Sequence, residues 1–338
     1  MTFFDPDSGD LRAPPVVEKF VTLSPSFGTR FMVTVDTEEE FDWNAPFDRE
    51  SHSVSIVGAM RTGQDYFAAA GVRPLYFADY PVIDDAEGGT LLAEWAAEGT
   101  ADVGVHCHPW VTPPHEEDVS VANSFAGNLP EALERAKLTA LRDRFVEVIG
   151  RTPIAFRAGR YGVGANTGRI LRDLGFHVDS SIRPRFDYRA EHGPDFSGLP
   201  VRPYRTGPDG AILELPLSTA FTGALGRWGE GLWPLVGRGG AAAGALARFQ
   251  LLRRVPLTPE GVGVRDALRG VDRLIADGAR LLMFSFHSPS LAPGFTPYVR
   301  DEAGQRSFYR WWDEVLDHLA QRGVKPAGLE DVIAACSG

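Results

Sequence analysis

The chain has 338 residues, 43% of them hydrophobic, and a formal net charge of -11 at pH 7, so it can bury a substantial core in one large domain or two smaller ones. The acidic balance argues against nucleic acid or an anionic membrane surface as a general partner. The sequence starts without a basic and apolar leader, has no apolar run of membrane-spanning length and has only two cysteines, Cys107 and Cys336. We therefore expect a cytoplasmic protein without stable membrane insertion or disulfides.

Short apolar segments of β type alternate along the chain with segments of helical length. The predicted strands cover 31–36, 74–78, 102–107, 153–157, 176–180, 211–216 and 280–286. The predicted helices cover 56–70, 90–99 with Thr90 as N-cap, 130–149 with Pro130 in the first turn, 165–174, 262–277 and 303–322. This alternation predicts βαβ crossovers and a parallel sheet covered by helices. The number of strands favours a (β/α) barrel over an open sheet.

The chain shows no low-complexity linker that would divide it. We expect an N-terminal extension over 1–29 and a single barrel domain over 30–335. Two segments interrupt the alternation, at 184–210 and at 218–260, and are predicted to be insertions. Each is interpreted either as a solvated surface loop or, for the second, as a cap or part of a substrate cleft.

Ionisable residues follow the predicted strands, where functional residues of α/β folds gather. These residues are Asp36 and Glu38 after the first strand, His106 and His108 after the third, Arg157 after the fourth, Asp179 after the fifth and His287 after the last. One such residue would be weak support for a site. Five strand ends together predict that their side chains form one.

The two histidines are separated by a single residue. In an extended segment His106 and His108 point to the same side and Cys107 points away. Two imidazoles and one carboxylate form a familiar hydrolytic metal site with a position left open. The alternative is that both are ordinary polar residues at a strand end. The acidic cluster after the first strand favours the metal.

The acidic segment after the first strand raises the question of what relieves its charge repulsion. Asp36 and Glu38 share one side of an extended chain, whereas Thr37 and Glu39 would turn to the other. A metal ion next to the first pair would remove the repulsion, and so would Arg157.

His287 follows a strongly apolar strand. One interpretation is a core histidine with a hydrogen bond to the backbone. The other is a general acid whose pKa lies near neutrality. The other ionisable strand ends favour the second interpretation.

The segments TVDTEEEF, VHCHPW, FRAGRYG, VDSS and FSFHSPS occur in the order and spacing of the motifs of the polysaccharide deacetylases. These form the NodB-like family, or carbohydrate esterase family 4, and the sequence resembles it over about residues 30–335. Within the family the first motif is similar to the branch with T-V-D-x-E. The resemblance implies a distorted (β/α)7 barrel with a divalent ion, usually zinc, held by one acidic residue and two histidines.

The resemblance also implies roles for the site residues. Glu38 takes the acidic metal-ligand position and His106 the first histidine position. The usual second histidine stands four residues after the first, where this chain has Trp110. His108 is assigned as the second ligand, with His115 in reserve.

The remaining roles concern proton transfer and the oxyanion. By resemblance Asp36 is the catalytic base, Arg157 holds it in place, His287 is the catalytic acid and Asp179 tunes that acid. The residues expected at the substrate and the oxyanion are Arg160, Tyr161 and Trp110.

The implied activity is hydrolysis of an acetyl-type group from an N-acylated sugar, with a water on the metal attacking, Asp36 as base and His287 as acid. A cytoplasmic enzyme would meet glycan precursors or small acylated metabolites. The aromatic residues Trp43, Trp110, Trp228 and Trp233 would either stack on sugar rings or pack on the barrel rim. Two alternatives stay open. One is hydrolysis of non-sugar C–N bonds in cyclic amides, imides or ureides, and the other is an inactive, glycan-binding relative.

Overall fold

The structure is a computed structural model that describes residues 9–235, 244, 246 and 248–336. Its strands are β1 (Arg30–Thr37), β2 (Leu75–Ala78), β3 (Asp102–Cys107), β4 (Ala155–Ala158), β5 (Val178–Asp179), β6 (Tyr204–Thr206), β7 (Ile212–Glu214), β8 (Thr219–Thr222), β9 (Arg253–Pro256), β10 (Leu281–His287) and β11 (Lys325–Pro326). Its α-helices in this part of the chain are α1 (Val57–Ala69), α2 (Tyr80–Asp84), α3 (Ala86–Glu98), α4 (Glu131–Ile149), α5 (Thr167–Asp173), α6 (Gly229–Leu232), α7 (Val264–Ala276), α8 (Glu302–Gln321) and α9 (Leu329–Ala335). Over the described residues, the helices lack the combination of length and apolar character that a membrane crossing needs.

The main sheet has the order β10-β1-β2-β3-β4-β5-β7-β6, and β11 pairs with β1. Only the β6–β7 pair is antiparallel. The sheet curls into a half-barrel covered by helices. The predicted fold class, a distorted (β/α) barrel, is confirmed.

A separate antiparallel hairpin, β8–β9, stands beside the open side of this sheet. Leu217 N–H donates to the Ile182 carbonyl after β5, and Ser218 N–H donates to the Met283 carbonyl of β10 at 3.2 Å. At the same end of the hairpin, Ser285 N–H of β10 donates to the Leu257 carbonyl. The hairpin therefore connects the two sides of the curled sheet. It lies within the predicted insertion 218–260.

β1 lies between β10 and β2 in the sheet, and its composition explains its position. Met32, Val33 and Val35 are at most 1% exposed, because a parallel strand with neighbours on both edges and cover on both faces has no solvated side. The register then sets the site. Asp36 is paired with His287 of β10, and His106 of β3 is paired with Arg157 of β4.

The helix before β3 begins earlier than predicted. Asp85 is its N-cap, because the Asp85 carboxylate accepts the N–H groups of Glu87 and Gly88. Thr90 lies inside the helix, where its hydroxyl donates to the Ala86 carbonyl at 2.6 Å. The prediction of Thr90 as N-cap is wrong, since the better cap stands five residues earlier.

Candidate metal centre and active site

The ionisable strand ends line a cavity of about 440 Å³. Its floor carries the carboxylates and imidazoles that follow β1, β3 and β10, and its walls carry aromatic side chains. The predicted catalytic and metal-ligating residues that line it are Asp36, Glu38, His106, His108 and His287. The structure brings these five residues together at one cavity, whereas Arg157 and Asp179 lie outside its lining.

Glu38, His106 and His108 converge at the base of the cavity. The Nε2 atoms of the two histidines lie 3.1 Å apart. Glu38 Oε2 lies 3.7 Å from His106 Nε2 and 3.4 Å from His108 Nε2. All three side chains are at most 3% exposed. One ligand atom from each therefore falls within reach of a single point.

The hydrogen bonds around this cluster determine which atoms carry protons. His106 Nδ1 lies 3.1 Å from the Arg157 carbonyl, and His108 Nδ1 lies 2.7 Å from a Glu39 carboxylate oxygen. Each Nδ1–H therefore donates outward, and each Nε2 directs a lone pair at the other. Burial lowers the pKa of His108 to about 4 and, with His108 beside it, lowers the pKa of His106 well below its usual value. Both rings are therefore neutral.

Glu38 adds a carboxylate to the two neutral imidazoles, and none of these three potential ligands carries a positive charge. Its Oε1 is buried and has no hydrogen-bond partner among the described residues. Burial, aided by the neighbouring carboxylates, raises the pKa of Glu38 well above its usual value. Two imidazole lone pairs and one carboxylate without a donor between them fit a divalent cation with nitrogen and oxygen ligands.

Glu39 supports His108 from behind. Glu39 Oε2 accepts from His108 Nδ1, and Glu39 Oε1 accepts the indole N–H of Trp110 at 2.9 Å. The Trp110 ring stacks on the His108 imidazole with centroids 4.2 Å apart. The Glu39 backbone N–H donates to Asp79. Glu39 thus turns away from the cation position, as predicted, but it orients a ligand of that position.

Trp110 was expected to contact substrate. It borders the cavity, but it is only 2% exposed and its only polar group is engaged by Glu39. The indole therefore packs a histidine in place. His108 covers one face of the indole and the Phe47 ring lies 4.5 Å from it, centroid to centroid, and contact of Trp110 with a substrate stays a prediction.

Asp36 is held by Arg157. The Arg157 guanidinium donates through Nη1 to Asp36 Oδ1 and through Nε and Nη2 to the carbonyl and hydroxyl of Ser180, both at 2.9 Å. The Arg157 guanidinium also lies over the Phe77 ring, 4.4 Å from the ring centroid. Burial opposes ionisation of Asp36, but the Arg157 guanidinium outweighs it and lowers the pKa of Asp36. The carboxylate is therefore ionised and fixed.

His287 lies across the cavity from the cation position and next to Asp36. Its Nε2 is 3.8 Å from Asp36 Oδ2. Its Nδ1 lies 2.7 Å from a carboxylate oxygen of Glu260, whose other oxygen accepts the backbone N–H of His287 and the hydroxyl of Ser290. Burial opposes protonation, but Glu260, followed by Glu38, raises the pKa of His287 to about 10. His287 is therefore a protonated imidazolium, not a group poised at neutrality.

Asp179 does not contact His287. It accepts the hydroxyl of Ser181 at 2.6 Å and shares a buried contact with Glu214, beneath Arg157. The prediction that Asp179 tunes the acid histidine is wrong, because Glu260 occupies that position. The Ser181 hydroxyl donates to Asp179 and accepts the Ala158 N–H, so Asp179 supports the strand that carries Arg157.

The turn after β4 carries two successive residues in the left-handed region. Arg160 has φ 53° and Tyr161 has φ 61°, a conformation that costs free energy in residues other than glycine. The Arg160 guanidinium pairs with Glu191 and donates to Ser124. Arg160 and Tyr161 both line the cavity, and their role at the substrate and the oxyanion stays a prediction.

The reserve ligand His115 is exposed and belongs to none of the clusters of potential ligands among the described residues. Sequence reasoning missed Glu260 and the role of Glu39. Glu260 follows β9, so the strand-end pattern would have included it had that strand been predicted. Glu39 carries no such signal, because the regular alternation ends with β1 at Thr37.

No family profile and no curated protein matches the sequence, but solved structures match the fold. The allantoinase PuuE shares 14% identity and a TM-score of 0.54 over 92% of this chain and 91% of its own. A Mycobacterium smegmatis protein assigned as a polysaccharide deacetylase shares 17% identity and a TM-score of 0.45 over 94% of this chain and 98% of its own. A peptidoglycan N-acetylglucosamine deacetylase shares 12% identity and a TM-score of 0.46 over 94% of each chain.

These similarities concern the fold, and the matched structures also include pseudoenzymes of carbohydrate esterase family 4. The T-V-D-x-E branch stays a prediction. The chain has the fold of the allantoinase, and the structures that match it include polysaccharide deacetylases, in line with the NodB-like resemblance predicted from its motifs.

Proposed function

We propose that the protein is a metal-dependent hydrolase that removes an acetyl-type group from an N-acylated sugar or a related small metabolite. One observation carries the proposal. Glu38, His106 and His108 present three unprotonated or uncompensated ligand atoms to one point, beside an ionised Asp36 and a protonated His287. A site that combines a cation position, a base and an acid is suited to acyl hydrolysis.

Zinc is the proposed ion, because two neutral imidazoles and one carboxylate form a set that zinc accepts in catalytic sites. When bound, the ion would polarise the acyl carbonyl and lower the pKa of water. Glu38, His106 and His108 would hold it. Glu39 would fix the orientation of His108, since an imidazole that donates its other N–H to a carboxylate is a stronger and better-aligned ligand.

Asp36 is the proposed general base. Its pKa is lowered, so at neutral pH it is ready to accept a proton from the attacking water. Arg157 has no freedom to turn away, since its other N–H groups are bound by Ser180. The carboxylate is thereby presented to the cavity in one orientation.

His287 is the proposed general acid, which donates its Nε2 proton to the departing amine nitrogen. Glu260 binds the opposite nitrogen at 2.7 Å, so Nε2–H is the proton directed at the cavity. The backbone N–H groups of the turn at Arg160 and Tyr161 are proposed to stabilise the oxyanion, because the turn lies at the cavity wall.

The test is hydrolysis of a substrate panel by protein of known metal content. N-Acetylated amino sugars and their nucleotide derivatives form one arm, and cyclic amides, imides and ureides form the other. Release of acetate that stops on chelation and returns with zinc would support the proposal. Hydrolysis confined to the cyclic arm would assign the same groups to a non-sugar C–N bond. Binding of glycans without turnover by zinc-loaded protein would contradict hydrolysis and favour a binding role.

A further inference from the structure

Arg183 lines the same cavity as Asp36 and His287, but none of the proposed steps uses it. Its guanidinium lies 4.1 Å from the centre of the Phe186 ring and 5.3 Å from that of Tyr161. Its hydrogen bond in the structure is donated to the Tyr188 hydroxyl at 3.1 Å. Aromatic rings therefore lie over the faces of the Arg183 guanidinium, and most of its N–H groups remain available to a ligand in the cavity.

The other arginines at this cavity are neutralised by carboxylates. Arg157 pairs with Asp36, and Arg160 pairs with Glu191. Arg183 forms no ion pair with any carboxylate of the described residues.

A second arginine, which does not line this cavity, adds positive charge on the Phe186 ring behind Arg183. Arg254 lies 3.6 Å from the centre of the same Phe186 ring and donates to the Arg185 carbonyl. Burial, followed by repulsion from Arg183, lowers the pKa of Arg254 to about 10. Two like charges next to one ring are unfavourable in the absence of an anion.

We propose that Arg183 forms an anion-binding subsite of the catalytic cavity, so that the substrate carries a carboxylate or a phosphate group in addition to its acyl group. A guanidinium with several free N–H groups matches either anion through paired hydrogen bonds. Burial against aromatic rings makes such a contact stronger than it would be at an exposed lysine or arginine. This substrate class rests on the proposed function, but the binding of the anion itself does not.

The experiment measures binding without turnover. Methyl glucoside, glucuronate and glucose 6-phosphate are titrated calorimetrically into the zinc-loaded protein, because none of them has an acyl group to hydrolyse. We expect at least one anion to bind about tenfold more tightly than methyl glucoside, the size of one charge-assisted contact. The two anionic ligands separate carboxylate from phosphate recognition.

The variants assign the preference to Arg183. Arg183→Gln should reduce the ratio of the anion affinity to the methyl glucoside affinity to about one. Arg183→Lys should leave a smaller ratio than the wild type, because lysine keeps the charge but cannot form the paired hydrogen bonds of a guanidinium. Arg202→Gln is the matched control, since Arg202 is exposed and lies over Phe20 outside the cavity; it should keep the full ratio. A preference that survives Arg183→Gln would place the anion elsewhere, for example on the metal, and overturn the inference.

Equal binding of all three ligands by the wild type, or no measurable binding of either anion, would also overturn it. Failure of the hydrolase proposal has a different signature. In that case the acylated panel is not hydrolysed by zinc-loaded protein, while the anion preference and its loss in Arg183→Gln persist.

Discussion

Glu260 engages His287 twice, through a contact of 2.7 Å to imidazole Nδ1 and through a bond of 3.0 Å from the backbone N–H of the same residue. The two bonds fix both the ring and its carboxylate partner in one orientation. The two residues belong to different sheets, since Glu260 follows the β8–β9 hairpin and His287 ends β10. The protonation of the proposed acid is thus controlled by a residue that none of the recognised motifs contains.

Replacement of Glu260 by Gln should move the pH profile of hydrolysis. Glu260 raises the pKa of His287, and an acid works only below its pKa, so the rate should fall as pH rises through that value. Without the carboxylate charge the pKa drops, and the alkaline limb of kcat should shift to lower pH. Measurement of kcat from pH 6 to pH 11 tests this.

Asp272→Asn is the matched control for Glu260→Gln. Asp272 pairs with His318 at 2.8 Å on the outside of the fold, so the change removes an equivalent carboxylate from a histidine that lies outside the cavity. The profile of Asp272→Asn should match that of the wild type. An unchanged alkaline limb in Glu260→Gln would show that His287 is not the acid.

Removal of a proposed ligand should abolish stoichiometric metal binding. His108→Ala deletes one of the two Nε2 atoms that lie 3.1 Å apart, and we expect metal analysis after dialysis to give far less than one zinc per chain. His115→Ala should retain the wild-type content, because His115 is exposed and outside the cluster. Equal zinc content in the two variants would contradict the assignment of His108.

Glu39→Gln should weaken metal binding without removing a ligand. The carboxylate orients His108 and binds Trp110, and loss of such support typically lowers metal affinity by about 10–100-fold. Competition with a chromophoric chelator measures the affinity. Glu40→Gln is a suitable control, since Glu40 binds Ser53 and Ser55 at the surface; an equal loss in that variant would argue against a specific role for Glu39.

Asp36→Asn should separate activity from metal content. Loss of the base is expected to lower kcat by about 10²–10⁴-fold, while zinc remains bound. The buried Arg157 also loses its counter-charge, so the free energy of unfolding should fall by about 3 kcal/mol. Urea denaturation and a rate assay of the same preparation measure both.

The control for Asp36→Asn is Asp313→Asn. Asp313 accepts the Tyr66 hydroxyl at an exposed position, so its replacement should change neither quantity strongly. Wild-type turnover in Asp36→Asn would exclude Asp36 as the base. Unchanged stability would mean that Arg157 finds another partner.

Much of the cation position was predictable because it depends on periodicity. His106 lies in an extended strand, where side chains two residues apart share a face, and His108 follows directly. The position of Glu38 was equally predictable, since parallel strands bring their carboxyl ends to one edge of the sheet. The alternation of side chains along a strand and the order of the strands in the sheet both predict Glu38, His106 and His108.

The partner of His287 was not predictable by these rules. Glu260 precedes His287 by 27 residues, and its position depends on a hairpin whose strands pair with each other and not within the main sheet. Asp179, which lies at a regular strand end, was the natural but incorrect choice. Glu39 was placed on the correct side, but its contact with His108 depends on how the chain turns after Thr37, which alternation does not describe.

Glu260 follows the β8–β9 hairpin, which is joined to β10 by backbone hydrogen bonds such as the bond from Ser285 N–H to the Leu257 carbonyl, whereas Glu38, His106 and His108 lie at the ends of β1 and β3. A substitution that moves Glu260 away from His287 should make the imidazolium a stronger acid and leave the proposed zinc ligands in place. Proton delivery and metal retention are in this sense separately adjustable, and substitutions in the hairpin can retune one without disturbing the other.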